Sequence, residues 1–234
     1  MKSVLKFADA KAAIFALSER LAGMLKSRAN PRFRLALSGG ETAKLMFDIW
    51  RENFANSIDW SCVDFFWADE RLVDLNSNSS NFKWAREKFF EPLGISDSAI
   101  FNVNPRANSQ LEALRLEQLL RGAKLGSGAI LDCAILGVGS DGHTASIFPN
   151  NPEIFNSDRL CEIVRKPGED FERFTLTPRA LEGAGELLFL ALGEGKREVL
   201  QRLLREVDSG ERGLVASGVF AGAGEAVLFT DSLA

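Results

Sequence analysis

Apolar residues along the chain recur at two spacings, one typical of helices and one typical of buried strands. In residues 8–28 they lie three to four positions apart, which predicts an amphipathic helix. Short continuous apolar runs predict strands at Phe33–Leu37, Val63–Trp67, 130–136, 174–177, 187–192 and 227–229. Further helical patterns lie at 45–50, 82–89, 111–119 and 199–204. Strands separated by helices indicate βαβ units, so we expect an α/β protein with a mostly parallel, Rossmann-like sheet flanked by helices.

Glycine and proline mark where these elements end. The charged helix at 111–119 is expected to end before Gly126-Ser127-Gly128, and Pro178 suits the first turn of another helix. Residues 210–224 contain five glycines and are expected to form a loop. No internal repeat or linker interrupts the pattern, so we expect a single α/β domain over residues 1–234.

The distribution of hydrophobic residues bears on where the protein is located in the cell. Hydrophobic residues make up 46% of the 234 residues and charged residues 26%, which is ordinary for a globular protein. No apolar run reaches the roughly 18 residues that a membrane-spanning helix needs. The N-terminal residues lack the apolar block and cleavage site of a signal peptide. We therefore expect a cytoplasmic protein with no membrane partner.

Charge and cysteine content exclude two further classes of function. The net charge of −4 gives no electrostatic basis for nucleic-acid binding, and an anionic substrate would need a local cationic pocket. The three cysteines are far apart and odd in number, which argues against a disulfide framework or a zinc site. Cys62 and Cys133 lie in apolar runs and are expected to be buried, inert thiols. We expect a monomer.

Several polar segments follow predicted strands. Ligands of parallel α/β sheets bind beyond the carboxyl ends of the strands, so these segments are expected to meet in one crevice. Two glycines before a helix start let a phosphate approach free backbone N–H groups, although a Gly-Gly pair alone is more often a tight turn. The segments are Ser38-Gly39-Gly40-Glu41-Thr42, Asp69-Glu70-Arg71, 137–144 and Gly193-Glu194-Gly195-Lys196.

The charged segment Asp69-Glu70-Arg71 is open to two interpretations. Its spacing alone favours a solvated loop with an internal ion pair. The functional alternative is that Arg71 points at an anionic substrate.

The segment at 137–144 contains the only histidine of the chain, His143. A lone histidine is more often structural than catalytic, but His143 lies in a Gly-rich loop at a strand end, where functional residues concentrate. Asp141, two residues earlier, is expected either to orient the imidazole or to cap the turn.

Two other kinds of chemistry are less well supported. Without a second histidine or paired cysteines, a transition-metal site is not expected. Ser38, His143 and Asp141 could form a nucleophilic triad, but the G-x-S-x-G elbow that exposes such a serine is absent. We therefore expect Ser38 to shape its loop or to contact a phosphate.

Taken together, these segments resemble the 6-phosphogluconolactonase family. Residues 136–149, Leu-Gly-Val-Gly-Ser-Asp-Gly-His-Thr-Ala-Ser-Ile-Phe-Pro, are similar to the long motif of that family. The similarity continues in order through Ser38-Gly39-Gly40, residues 66–71, Ser80-Asn81, Arg173-Phe174-Thr175 and the segment ending at Lys196. Glu41 and Ala43 stand where the family usually has serine and proline, and Val215 stands where it tends to have proline. A carboxylate beside a phosphate is unfavourable, so Glu41 is expected to face solvent.

The resemblance implies hydrolysis of 6-phosphogluconolactone in the oxidative pentose phosphate pathway, without metal or cofactor. It implies a sugar-phosphate lactone as the partner, with His143 as general base and Asp141 beside it. An imidazole, with a reference pKa of about 6.5, suits that role. The residues expected to bind substrate are Ser38, Gly39, Gly40, Thr42, Asp69, Arg71, Gly139, Arg173 and Lys196. Of these, Arg71, Arg173 and Lys196 are expected to hold the phosphate and the lactone carbonyl. The sequence does not indicate which of the three contacts which group.

Two alternatives share the same fold. Glucosamine-6-phosphate deaminases have Asp-Glu-Tyr at the position of Asp69-Glu70-Arg71, and a glutamate where this chain has Phe148. A sugar-phosphate sensor without catalysis would bind ligand and not turn it over. The deaminase is less favoured because of these two differences. The sensor is less favoured because the His143 segment matches the lactonase pattern and no DNA-binding module is appended.

Overall fold

A computed structural model describes residues 2–122 and 129–233 of the chain. The expected end of a helix before Gly126-Ser127-Gly128 lies outside these residues. Within them, the strands are β1 (Lys2–Lys6), β2 (Phe33–Leu37), β3 (Val63–Trp67), β4 (Asp69–Arg71), β5 (Cys133–Leu136), β6 (Cys161–Arg165), β7 (Glu172–Leu176), β8 (Glu186–Leu190) and β9 (Ala226–Thr230). The α-helices are α1 (Ala10–Ser27), α2 (Glu41–Asn53), α3 (Asn81–Ala85), α4 (Ser109–Gly122), α5 (Pro178–Glu182), α6 (Arg197–Ser209) and α7 (Val215–Gly222).

Six strands form a parallel sheet in the order β1-β9-β8-β5-β2-β3. The central strands are buried along their whole length, as their continuous apolar sequences require. Helix α1 packs on β8 and β9 beside α2. The expected α/β fold with a mostly parallel sheet flanked by helices is confirmed. None of the described helices is both long and apolar enough to span a bilayer.

A second, smaller sheet is antiparallel and has the order β4-β7-β6. In it Arg71 lies directly opposite Arg173, and Asp69 lies opposite Thr175. Side chains alternate between the faces of a strand, so Asp69 and Arg71 share one face and Glu70 lies on the other. This sheet therefore presents two arginines and a carboxylate on the same side.

Two interpretations of polar and Gly-rich segments are wrong. Asp69-Glu70-Arg71 is a strand and not a solvated loop: Asp69 and Glu70 are buried, because the antiparallel partner β7 satisfies their backbone groups. Residues 210–224 contain the helix α7, which is almost wholly buried. A Cβ atom at Gly222 would lie 2.1 Å from the Glu182 carboxylate, whereas one at Gly218 would make only an ordinary contact with Phe155 at 3.6 Å, and neither glycine has the positive φ of a turn.

Helix faces and strand ends also depart from the sequence prediction. On α4, Leu111 and Leu114 are 66% and 44% exposed, whereas Glu112 is buried because Arg115 pairs with its carboxylate. Strand β5 begins only at Cys133, since the Asp132 carboxylate accepts the Arg34 N–H (2.7 Å) in place of a ladder bond. Leu45, expected on the buried face of α2, is likewise 42% exposed.

Strands β1 and β6 were not predicted, and β7 pairs in the small sheet and not in the parallel one. The first strand lies at the edge of the sheet and has lysines at both ends, so it lacks the continuous apolar run that indicates a buried strand. As expected, Cys62 and Cys133 are buried free thiols, and Cys161 is also buried. Burial raises the pKa of the Cys62 thiol.

Candidate active site

The polar segments that follow β2, β5 and β8 meet the small sheet in one crevice of about 420 Å³. Its lining includes the predicted residues Ser38, Gly39, Gly40, Thr42, Asp69, Arg71, Gly139, His143, Arg173 and Lys196. The structure therefore brings together every sequence-predicted site residue except Asp141, which does not line the crevice and instead contacts the imidazole of His143.

His143 is held by the carboxylate of Asp141. The distance between His143 Nδ1 and Asp141 Oδ1 is 2.5 Å, and the same oxygen accepts the backbone N–H of His143 at 3.1 Å. Partial burial raises the pKa of Asp141, but the hydrogen bonds from His143 outweigh this effect and the net pKa is lowered. An ionised Asp141 assigns the proton to Nδ1, so Nε2, which has no hydrogen-bond partner among the described residues, is the basic nitrogen.

Glycines and one strained residue shape the loop around this pair. A Cβ atom at Gly139 would lie 2.1 Å from His143 Nδ1 and 2.6 Å from Asp141 Oδ1, so no other residue fits there without displacing the pair. Gly142 has a φ of 82°, in the region that favours glycine. Ala145, which also lines the crevice, has a φ of 49°. Such backbone strain in a non-glycine residue is a feature of functional sites.

Two cations of the crevice have no carboxylate partner within the described part of the chain. Lys196 donates to the carbonyl oxygen of Val138 at 2.7 Å, next to Gly139. Arg71 donates to the carbonyl oxygen of Ser79 at 2.7 Å, and its buried Nε has no partner among the described residues. Both positive charges are therefore available to an anion.

Arg173 is different, because two carboxylates already neutralise it. Its Nε and Nη2 donate to both oxygens of Glu169 at 2.8 and 2.7 Å, and its Nη1 lies 3.7 Å from Asp69. Hydrogen bonds from this guanidinium hold the pKa of Glu169 below its usual value. Nη1 also donates to Ser146 Oγ at 3.3 Å, and Ser146 in turn donates to Asp69. Arg173 thus ties β4, β7 and the loop after His143 together.

The loop after β2 presents a helix start to the crevice. Gly40 is the N-cap of α2, with a φ of 91°, and no side chain caps the helix. The Ser38 hydroxyl donates to the Ile135 carbonyl at 2.9 Å, which assigns it to shaping the loop. Thr42 lies in the first turn of α2 and lines the crevice. The Glu41 side chain is 88% exposed and pairs with Lys44, but Glu41 also lines the mouth of the crevice.

Asn81 also lines the crevice, and the sequence did not point to it as a binding residue. Its Nδ2 donates to the Asp69 carbonyl at 2.9 Å. A Cβ atom at Gly39 would lie only 1.8 Å from Asn81 Oδ1. Asn81 thus contacts both the loop after β2 and the small sheet. The pair Ser80-Asn81 at a helix start was the available indication.

Glu169 and Phe148 are further neighbours of the site that were not among the predicted binding residues. The ring centroid of Phe148 lies 5.0 Å from that of His143. Glu169 occupies a Pro-Gly-Glu-Asp segment between β6 and β7, which looks like an ordinary exposed turn in the sequence. No sequence pattern could have placed it on Arg173.

A second cavity of about 530 Å³ lies near the amino end of β3. Its charged residues are already bonded within the protein, Arg32 to Asp64 and Asp59 to Ser61. It therefore offers no free charge to a ligand. In residues 2–122 and 129–233, no group of three His, Cys, Asp or Glu side chains could hold a metal ion.

Known structures fix the class of protein first. The fold matches the "devB protein" structure with a TM-score of 0.89 at 26% identity, over 99% of this chain and 98% of the other. It matches the 6-phosphogluconolactonase structure from Thermotoga maritima with a TM-score of 0.81 at 27% identity, over 98% of both chains. The architecture is the α/β fold of the glucosamine-6-phosphate isomerase/6-phosphogluconolactonase superfamily.

Sequence relatives then give the family. The profile of the glucosamine-6-phosphate isomerases/6-phosphogluconolactonases matches residues 8–227. A relative from Treponema pallidum, named 6-phosphogluconolactonase, is 33% identical over 71% of this chain and 70% of its own. One of the same name from Bos taurus is 32% identical over 88% and 81%. The chain therefore belongs to the glucosamine-6-phosphate isomerase/6-phosphogluconolactonase family, which confirms the resemblance seen in the sequence.

Proposed function

We propose that this protein hydrolyses 6-phosphogluconolactone to 6-phosphogluconate in the oxidative pentose phosphate pathway, with water activated by His143. The observation that supports this most strongly is the His143–Asp141 pair at the edge of a crevice that also contains two uncompensated cations. Relatives that match most of the chain are named for the same lactone. We also propose that the chain acts as one monomeric cytoplasmic domain.

The imidazole acts on water and then on the leaving group. Nε2 of His143 takes a proton as the water oxygen forms a bond to the lactone carbonyl carbon. Asp141 stabilises the imidazolium that results, because its ionised carboxylate faces Nδ1–H. As the bond from carbon to the ring oxygen breaks, Nε2 returns its proton to that oxygen. The free acid then ionises, which leaves the open-chain carboxylate and a released proton.

The two free cations suggest how the substrate lies. Lys196 donates to the Val138 carbonyl beside Gly139, the glycine packed against His143, and this position supports a role for Lys196 in stabilising the developing charge on the carbonyl oxygen. The Gly139 N–H is already donated to the His143 carbonyl and cannot serve there. Arg71 and the uncapped first turn of α2, which line the same crevice, would hold the phosphate. Arg173 would then position its neighbours and not bind phosphate directly.

Phe148 argues against deamination. Deaminases of this family place a glutamate at this position, and a phenyl ring 5.0 Å from His143 transfers no proton. No metal or cofactor is needed in this mechanism, because a lactone carbonyl is electrophilic enough for an activated water.

The test is a direct assay. Freshly generated 6-phosphogluconolactone should lose its lactone ring at a rate proportional to protein concentration, above the spontaneous background and above heat-denatured protein. Exhaustive chelation should leave that rate unchanged, and glucosamine 6-phosphate should release no ammonia. A rate equal to the background would contradict the proposal, and ammonia release would favour the deaminase alternative.

A further inference from the structure

Glu70 is a fully buried carboxylate that the mechanism does not use. It is 1% exposed and lies on the face of β4 opposite Asp69 and Arg71. Among the described residues no lysine or arginine side chain pairs with it; it accepts hydrogen bonds from backbone N–H groups and one hydroxyl. A carboxylate buried in this way is costly unless its hydrogen bonds are satisfied, so its presence calls for a physical reason.

The contacts of Glu70 join two crevice residues through one atom. Its Oε1 accepts the N–H of Arg71 at 2.7 Å and the N–H of Asn81 at 2.8 Å. Its Oε2 accepts the N–H of Phe82 at 2.7 Å and the hydroxyl of Ser80 at 3.2 Å. Ordinary capping of α3 needs only the contacts to residues 80–82. The hydrogen bond from the Arg71 N–H goes beyond capping, because it also links the carboxylate to the end of β4 that carries the Arg71 guanidinium.

The same two segments are joined by two further hydrogen bonds that do not involve Glu70. Arg71 Nη1 donates to the Ser79 carbonyl, and Asn81 Nδ2 donates to the Asp69 carbonyl. Asn81 in turn packs against Gly39, where no Cβ atom would fit. The Glu70 carboxylate is therefore the buried end of a chain of contacts that fixes Arg71, Asn81 and the loop before α2 relative to one another.

We propose that Glu70 is a positioning residue for the anionic end of the substrate. It sets the distance between Arg71 and the first turn of α2, and through them the fit of the phosphate, without touching the substrate. This inference rests on the proposed function. It predicts that loss of Glu70 weakens substrate binding and leaves the step at His143 nearly intact.

The experiment compares Glu70→Gln with the parent and with Glu112→Gln. Glu112 is a matched control, because it is also a buried carboxylate that accepts a backbone N–H, from Asn104 at 2.8 Å, but it lies on α4 and does not line the crevice. Kinetics with 6-phosphogluconolactone are measured where all three proteins are folded by circular dichroism. Calorimetry gives the Kd of 6-phosphogluconate. If Glu70→Gln does not fold, Glu70→Asp replaces it, since it retains the charge but is too short to bridge both N–H groups.

We expect KM and the Kd of 6-phosphogluconate to rise about tenfold in the Glu70 variant, with kcat within threefold of the parent. Its preference for the phosphorylated lactone over glucono-lactone should fall about tenfold. Glu112→Gln should change none of these values. The positioning role would be overturned if KM in Glu70→Gln equalled KM in Glu112→Gln and the Kd of 6-phosphogluconate were also the same in the two variants. An equal fall of kcat in the two variants would overturn it as well. A parent that neither hydrolyses the lactone nor binds 6-phosphogluconate would instead overturn the proposed function.

Discussion

At the residue scale, the role of each cation in the crevice depends on whether a carboxylate of the protein already pairs with it. The sequence grouped Arg71, Arg173 and Lys196 as equivalent cations. In the structure, Glu169 and Asp69 neutralise Arg173, whereas no described carboxylate pairs with Arg71 or Lys196. Pairing of this kind depends on residues far apart in sequence, and so no local pattern could have shown it.

This difference predicts opposite effects of substitution. Arg71→Ala and Lys196→Ala should each lower kcat/KM about 10- to 100-fold, because each removes a charge-assisted hydrogen bond of about 1.5 to 3 kcal/mol. Their free energies of unfolding should change little. Arg173→Ala should lower the free energy of unfolding by about 3 to 5 kcal/mol, since it leaves the buried Asp69 with the Ser146 hydroxyl but without its cationic partner.

Urea denaturation and steady-state kinetics on all three variants check this prediction. Arg165→Ala is the control, because Arg165 pairs with Glu172 on the exposed part of the same hairpin and should affect neither quantity. The division of roles is wrong if Arg173→Ala is as stable as the parent, or if Arg71→Ala retains parental kcat/KM.

Gly139 offers a second test at this scale. In Gly139→Ala, the added methyl would lie 2.1 Å from His143 Nδ1 and must displace the imidazole or Asp141. We expect kcat to fall at least about 100-fold, because catalytic geometry tolerates little misplacement. Gly23→Ala is the control, because a Cβ atom at Gly23 meets nothing within 4 Å and Gly23 lies on α1 outside the crevice. The measurement is the kcat of the two variants, and a similar kcat in both would contradict the tight packing of Gly139 against His143 and Asp141.

At the scale of elements, the sequence predicted strands and helices that have continuous or periodic apolar residues. Strands β2 and β3 begin and end where predicted, because both are buried on two faces. The small antiparallel sheet was not predicted. Strand β4 has only three residues, all charged, and β6 has charged residues at two of its five positions, so neither shows a continuous apolar run and only their pairing with β7 defines them. The sequence thus placed the site residues on the right segments but gave one wall of the crevice the wrong structure.

Glu70 makes the stability of that wall dependent on pH. Burial raises its pKa from 4.5 to about 7, since the hydrogen bonds from backbone N–H groups offset only part of the desolvation. A carboxyl whose pKa is higher in the folded state binds its proton more tightly there. Its contribution to stability is therefore full below pH 4.5 and is lost as the pH rises to about 7.

The matching measurement is the free energy of unfolding of the parent minus that of Glu70→Gln, which does not titrate at this position. Between pH 4.5 and 7 this difference should fall by up to about 3 kcal/mol, at about 1.4 kcal/mol per pKa unit. Groups common to both proteins cancel. A difference that stays constant over this range would show that the Glu70 pKa is not raised.

At the scale of the whole molecule, the mean charge opposes the substrate. The chain has 32 acidic and 28 basic side chains, so an anion must be bound by local charges and not by the overall field. We therefore expect the phosphate to be essential, with kcat/KM for 6-phosphogluconolactone about 10³- to 10⁵-fold above that for glucono-lactone. Competition kinetics with the two lactones test this, and values within tenfold of each other would contradict a phosphate site.

The proposed role of His143 in activating the water that opens the lactone is tested by the kcat of His143→Ala on freshly generated 6-phosphogluconolactone. His143 is the only histidine of the chain, so no second imidazole can substitute for it. We expect kcat to fall about 10²- to 10⁴-fold while KM changes little, because the variant has lost its general base. A His143→Ala protein that opens the lactone at nearly the parental rate would contradict this role.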